Sequence, residues 1–330
     1  MDPITQGTVG AAVPQSFAQP EKLRTAAWLG CLSGMAPDLD VLIRSPTDPM
    51  LFLEYHRQFT HALVFIPIGA LICALVFHGF AKRHLNFGQI YLFCLLGYAT
   101  HGLLDACTTY GTMLLWPFSD MRVAWNNVSV VAPLFTLPLL GFVIAAAIWR
   151  RPRLAHIGLL WAASYLAFGI VQRERAEAVG HEMARERGLD VVRLEAKPGF
   201  ANLFLWKLVT ETETDFHVDA VRLFAEPRFF PGDRAARLRI ERDLPWLAPD
   251  SQQARDLARF DWFSNRYLAL SEDRPGFIID VRYSVVPNEI HPLWGIQLDP
   301  SAPPDAHVEY ITDREGSAER VAEIRRMFIE

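Results

Sequence analysis

Cysteine is scarce in this chain of 330 residues: the four present, Cys31, Cys73, Cys94 and Cys107, lie in apolar stretches, and none forms a CxxC pair. That excludes a zinc ribbon or a dithiol redox motif and leaves small buried hydrophobes as the reading. The polar second half has no cysteine, so redox chemistry gives no compartment. An excess of basic charge is also missing. Thirty-two Lys and Arg against 37 Asp and Glu give a formal charge of -5, which argues against a broad nucleic-acid-binding face. The stretch MDPITQGTVG lacks the basic region and long apolar core of a cleavable signal, so any membrane insertion is expected to use internal segments. No internal repeat or low-complexity tract is present. Acidic residues are sparse at first: nine of the 37 fall within the first 175 positions. Mean hydropathy is +0.13 and hydrophobic residues make up 51%, high for a wholly soluble protein.

Apolar runs approach the roughly 20 residues that cross a bilayer at Phe59–Phe80, Gln89–Thr108, Val128–Trp149 and Leu154–Val171. A fifth, Leu23–Ile43, is interrupted by Pro37, Asp38 and Asp40. It reads either as a span or as a half-helix that re-enters, which is tolerated only where protein or water covers it. Residues 4–18 are too short and glycine-rich to assign. Five spans place Lys22, Arg24, Lys82, Arg83, Arg150, Arg151 and Arg153 on one side, with only Arg44, Arg57 and Arg122 in the short loops opposite. The first side is then cytoplasmic.

From Arg173 the composition turns polar. Arg173–Gly188 reads as a charged helix with a glycine stop. Val191–Ala196, Leu203–Thr210, Phe216–Phe224 and Phe277–Val285 read as strands, and 251–270 and 317–329 as helices. The expected architecture is a multi-pass α-helical membrane domain over residues 1–172, followed by a soluble α+β domain over 173–330.

Within the apolar half, potential metal ligands gather in three fragments: Met35-Ala36-Pro37-Asp38-Leu39-Asp40, His56-Arg57-Gln58-Phe59-Thr60-His61 and His101-Gly102-Leu103-Leu104-Asp105. Ionisable groups at membrane depth are costly and default to a functional role. His101 and Asp105, at i and i+4, share a helix face; alone, the pair reads as an ordinary helix-face hydrogen bond. Asp38 and Asp40 share a face in extended backbone but equally suit a turn. His56 and His61 are about 140° apart on an ideal helix and converge more easily if His56 precedes the helix. Together these six residues offer more ligands than one tetrahedral ion needs. The mix of imidazole and carboxylate suits zinc, with manganese or iron as alternatives, and two ions are plausible. Arg57 and Arg122 are candidates to pair with an anionic substrate group; the plainer reading of each is charge at the headgroup surface. Asp120 reads as a partner of this site or a simple loop residue.

The fragments MDPITQGTVGAAV, GCLSGMAPDLDVLI, HRQFTHALVFIP, GYATHGLLDACTTYGTMLLWPFSD and RVAWNNVSVVAPLFTLPLL resemble the YdjM-like family of membrane-bound metal-dependent hydrolases, described as LexA-regulated in some bacteria. The resemblance covers about residues 1–150. Asn202-Leu203-Phe204-Leu205-Trp206 resembles the accessory domain of longer members. It implies a bacterial inner-membrane hydrolase, distantly grouped with zinc-dependent phospholipase C and related nucleases, and hence a phosphoester substrate. Motif by motif it implies Asp38, Asp40, His56, His61, His101 and Asp105 as ligands, with Asp2 a further candidate. Two positions depart from the family pattern: Ala132 stands where relatives often have Asp, and Gln6 where many have His.

The expected function is therefore hydrolysis of a lipid-borne or other phosphoester by metal-activated water. Asp40 or Asp105 would orient the water or take its proton, Arg57 or Arg122 would hold the anion, and the site and C-terminal domain would lie on the periplasmic face. The alternative is a non-catalytic membrane protein with a structural metal and a partner-binding extracytoplasmic domain. An ion carrier ranks last, since the run from His61 to His78 offers no polar path.

Overall fold

A computed structural model describes residues 1–313 and 318–329. The helices in chain order are α1 (Pro3–Phe17), α2 (Leu23–Met35), α3 (Leu51–Tyr55), α4 (Ile66–Ala81), α5 (Phe87–Ala106), α6 (Pro133–Trp149), α7 (Pro152–Glu186), α8 (Ile240–Asp243), α9 (Gln252–Phe263) and α10 (Ala318–Ile329). The strands are β1 (Arg193–Pro198), β2 (Leu205–Glu211), β3 (Asp215–Leu223), β4 (Pro227–Phe230), β5 (Arg234–Ala236), β6 (Leu268–Leu270), β7 (Phe277–Asp280), β8 (Trp294–Gln297) and β9 (Glu309–Thr312). Contacts divide the chain into two units. The first holds Met1–Leu42, Tyr55–Val171 and Phe200–Asn202; the second holds Ile43–Glu54, Gln172–Gly199 and the chain from Leu203 on.

The first unit is helical. Asp2 caps α1, its carboxylate accepting from the Thr5 N–H at 3.0 Å and from the Thr5 hydroxyl, and Pro3 suits the first helical turn, where no intrahelical N–H bond is lost. The stretch 4–18, unassigned from sequence, is thus a helix. It buries Thr5, Gln6, Thr8 and Gln15 rather than a leucine stripe, because small residues bring its backbone close to its neighbours. A Cβ added at Gly30 of α2 would lie 2.1 Å from the Gly10 carbonyl oxygen of α1, and one at Gly97 of α5 would lie 2.4 Å from the Gly30 oxygen. Three helices therefore meet backbone to backbone, the arrangement small residues permit between helices in membranes. Asn86 and Gln89 form a capping box at the start of α5.

Among the described residues three segments are long and apolar enough to cross a membrane: Leu63–Ala81, Phe87–Ala106 and Pro152–Glu186. On α4, Ile72, Leu75, Val76 and Phe80 are all more than half exposed, as are Leu134 and Leu137 on α6. Exposed aliphatic side chains in such numbers suit hydrocarbon rather than water. The five expected spans are not all matched by helices of spanning length. The Val128–Trp149 run is helical only from Pro133, over 17 residues. Leu23–Ile43 is helical for 13 residues and then tightens into a 3-10 turn over Ala36–Leu42, which carries Asp38 and Asp40. The runs read separately as Leu154–Val171 and Arg173–Gly188 are one 35-residue helix, α7, whose first part belongs to the first unit and whose remainder belongs to the second.

The second unit is built on two antiparallel sheets. β1-β2-β3-β4 form one, with β5 also pairing β3; β6-β7-β8-β9 form the other. Val209, Phe216, Val218, Tyr267, Ile279 and Val281 share one core cluster. Arg282 is buried against Asp280 at 2.6 Å, and burial pulls the Lys207 amine down to about 7, its Nζ donating to Ser284 Oγ and the Glu289 carbonyl. The helix expected over 251–270 stops at Phe263, because residues 268–270 pair with β7 instead. α10 matches the expected final helix from Ala318; residue 317 lies outside the described residues.

The glycine contact is testable. Gly30→Ala should lower the melting temperature of the purified protein in detergent, with an overpacking cost of about 1–3 kcal/mol or more. Gly79→Ala, where an added Cβ meets nothing within 4 Å, should not. Equal melting temperatures for the two variants would refute the close approach.

Candidate metal centre

Four side chains of the first unit converge: Asp38 from the 3-10 turn after α2, His61 from the turn before α4, and His101 with Asp105 from the last turns of α5. His101 Nε2 and His61 Nε2 face each other at 2.9 Å. Asp38 Oδ1 lies 3.5 Å from His61 Nε2 and 3.3 Å from His101 Nε2. Asp105 Oδ2 lies 3.2 Å and 3.6 Å from the same two atoms. His61, His101 and Asp105 are wholly buried at the side chain, while Asp38 is 23% exposed. Asp38 also belongs to an adjoining group with Asp40 and His56.

Each histidine is aimed by its other nitrogen. The Nδ1 of His101 is 2.5 Å from the Gly34 carbonyl. That of His61 is 3.3 Å from Asp40 Oδ2 and 3.0 Å from the Thr60 hydroxyl. Such outer partners fix the tautomer that leaves Nε2 free to bind a cation. Asp40 is nearly saturated: it meets His56 Nδ1 at 2.7 Å and accepts from the Arg57 N–H and the Thr60 hydroxyl at 2.9 Å each. Asp40 therefore organises the His56–His61 turn. Arg57 sits in that turn with φ at 66°, a left-handed conformation unfavourable for a non-glycine residue. It is held by the bond to Asp40 on one side and by the Met113 N–H donating to its carbonyl at 3.0 Å on the other. Strain of this kind concentrates at functional sites.

The donor set fits a divalent cation. A tetrahedral ion with bonds of about 2.0–2.1 Å separates its ligands by about 3.3 Å, close to the 3.2–3.6 Å imidazole–carboxylate distances here. Gln6 Oε1, on the residue that donates to Asp105, is buried without a hydrogen bond, and unsatisfied buried oxygens are costly. The pocket's electrostatics point the same way. Burial opposes charge on His61, yet Asp105, Asp38 and Asp40 around it push its imidazole up to about 10. Burial would raise Asp38 and Asp40, but the histidines bonded to them hold both well below the usual carboxylate range. His56 is pulled down by burial, which outweighs the bond to Asp40.

The remaining residues singled out in the sequence are placed as follows. Arg57 is buried, its Nε 3.0 Å from Asp105 Oδ2 and its Nη1 donating to Thr108 Oγ1 at 3.0 Å. Arg122 is half-buried and donates from Nη2 to the Gly111 carbonyl at 3.0 Å. Asp120 is exposed. Ala132 is the N-cap residue of α6 and makes no side-chain cap. An Asp there would have capping as a sufficient role, worth about 1 kcal/mol. Position 6 differs, since Gln6 Nε2 donates to Asp105 Oδ1 at 2.9 Å and so touches the cluster directly. The Met1 amine contacts the same oxygen. Gln6 and the Gly34 carbonyl carried no periodicity or spacing signal; the family resemblance alone marked position 6, and nothing marked Gly34.

A helical unit, apolar segments long enough to cross a membrane and a buried His/Asp cluster together define a membrane protein with a candidate metal site. The model of the YdjM inner membrane protein family matches residues 1–176, and the chain belongs to that family. It is 33% identical over 145 residues to the inner membrane protein YbcI of Escherichia coli (strain K12), covering 40% of this chain and 80% of YbcI. It is 23% identical over 198 residues to the uncharacterized protein YfhP of Bacillus subtilis (strain 168), covering 58% of each chain. No solved structure matches.

Zinc titrations in detergent provide the check on this centre. His101→Ala and Asp38→Ala should lose tight zinc binding. Asp40→Asn should retain it with affinity reduced about 10- to 100-fold, as for outer-shell partners elsewhere. Unchanged affinity in all three would remove the centre.

Proposed function

We propose that the first unit is a membrane-bound, metal-dependent hydrolase of a phosphoester such as a phospholipid or lipid-linked phosphate. The observation that carries this reading is the convergence of two imidazole Nε2 atoms with two carboxylate oxygens, each histidine aimed from behind. Asp38, His61, His101 and Asp105 hold the cation, with zinc the best match and manganese or iron the alternatives. Asp38, Asp40 and His56 offer a place for a second. A divalent cation held there would supply Lewis acidity for activating water.

The chain's own groups then divide the work. Asp40 positions His56 and His61 and acts through them. Arg57 orients Asp105, its Nε lying 3.0 Å from Oδ2. Asp38, the one partly exposed side chain of the four, faces the side from which water would enter. Arg122 pairs with the anionic group of the substrate. The phosphoester class rests on the family resemblance and on the guanidinium groups beside the centre. The burial of three of the four ligands favours a second reading, a structural cation in a non-catalytic protein that engages partners through its second unit.

The charge pattern supports placing the site at the periplasmic end. Lys22 and Arg24 flank the start of α2, Lys82 and Arg83 follow α4, and Arg150 and Arg151 follow α6. Asp38 follows the opposite end of α2 and His61 precedes the opposite end of α4, which agrees with basic residues favouring cytoplasmic loops.

Zinc-replete protein should hydrolyse one of a panel of phosphomonoester, phosphodiester and phospholipid substrates. Asp38→Ala and His101→Ala should lower the rate at least about 100-fold. Failure of the metal-loaded protein to turn over any of them, with zinc bound, would favour the structural-cation reading. Orientation is tested separately. A cysteine at the exposed position Asp250 should react with an impermeant thiol reagent in intact spheroplasts, above the level of the unmodified protein; protection until lysis would reverse the topology.

A further inference from the structure

Tyr110 was not marked by any spacing in the sequence, yet it touches three residues around the centre. The Arg57 guanidinium carbon lies 4.8 Å from its ring centroid and that of Arg122 lies 5.3 Å from it. The His56 ring meets it edge-on at 5.5 Å. The two arginines on this ring are not equivalent. Arg57 is buried and directed inward to Asp105 and Thr108. Arg122 is half-buried and rooted in the loop between α5 and α6.

The backbone around Tyr110 is built to hold Arg122 in place. Thr112 and Val123 exchange both of their N–H to carbonyl bonds at 2.9 Å, which fixes residues 110–112 beside 122–123. Gly111 adopts φ 89°, and a Cβ there would lie 2.9 Å from Arg122 Cβ and 3.3 Å from its Nε. Only glycine suits both the backbone conformation and the space. Arg122 therefore has a fixed stem, a carbonyl partner at Gly111 and an aromatic surface under its planar head. A guanidinium stacked and pre-oriented in this way loses little freedom on pairing with two oxygens of an anion.

We infer that Tyr110, with Gly111, is a positioning residue that sets Arg122 as the anion-recognition arm of the metal centre, for a tetrahedral oxyanion of the phosphoryl type. The inference rests on the hydrolase reading, because it takes the His/Asp cluster as the reacting centre. Tyr110 bridges the inner arginine, which serves a ligand, and the outer one, which serves the substrate.

The test uses full-length protein in detergent, with zinc affinity, melting temperature and the affinity for inorganic phosphate measured in parallel. Tyr110→Leu and Arg122→Gln should each weaken phosphate binding to the zinc-loaded protein by about tenfold or more, the scale of a hydrogen bond to a charged group. Zinc affinity and melting temperature should not change. Tyr110→Phe, which keeps the ring, should stay within about twofold of the unmodified protein, since the stacking it preserves is the contribution at issue. The double variant should bind no more weakly than Arg122→Gln alone, because the ring acts through that arginine. Gly111→Ala gives the same readout should the leucine variant not fold. Additive losses, or phosphate affinity unchanged in Tyr110→Leu and Gly111→Ala, overturn the positioning role. Protein that binds zinc but no phosphate overturns this inference alone. Protein that binds no zinc overturns the hydrolase reading on which it rests.

Discussion

The contact of α1, α2 and α5 at glycine backbones is the constraint on which the first unit turns. Because Gly30 admits the Gly10 carbonyl on one side and Gly97 approaches on the other, the ends of these helices reach the same place. The Gly34 carbonyl near the end of α2 meets His101 on α5. Gln6 on α1 reaches Asp105 on α5. The turn that follows α2 delivers Asp38 to both histidines. Larger residues at the crossing would separate the helices and, with them, the ligands. Packing and chemistry are the same arrangement viewed at two depths of the unit.

Much of the centre could be read from sequence because its signals were local. His101 and Asp105 needed only the helical repeat, and they do lie on one face of α5. The apolar runs mark helices whether or not they reach spanning length. The division of labour between Asp38 and Asp40 could not be read, because two residues of one type two positions apart look alike. What separates them is the turn at His56–His61, some twenty residues on, which surrounds Asp40 with donors and leaves Asp38 to the histidine Nε2 atoms. Tyr110 was invisible for the same reason: an aromatic residue in a loop has no period, and its meaning comes from what folds against it.

In the second unit β1, β2, β3 and the short β7 were legible, and the other short strands were not. β2 and β3 have seven and nine residues, enough to show their character. β4, β5, β6, β8 and β9 have three or four each, too few to establish alternation, and they are defined by their partners; β7, as short, began a longer apolar run at Phe277. The end of α9 shows the same effect, since pairing with β7 claims residues that helical propensity alone would have extended.

The unequal exposure of the four converging side chains also has a kinetic meaning. Three have no contact with solvent, and Asp38 alone does. For a cation held among them, that makes the centre a chamber with one door, and Asp38 is the door. Loading and release must pass along one carboxylate, so exchange would be slow even where equilibrium affinity is moderate. An ion acquired during insertion and folding would then stay with the protein for long periods, largely indifferent to changes in the metal supply around it.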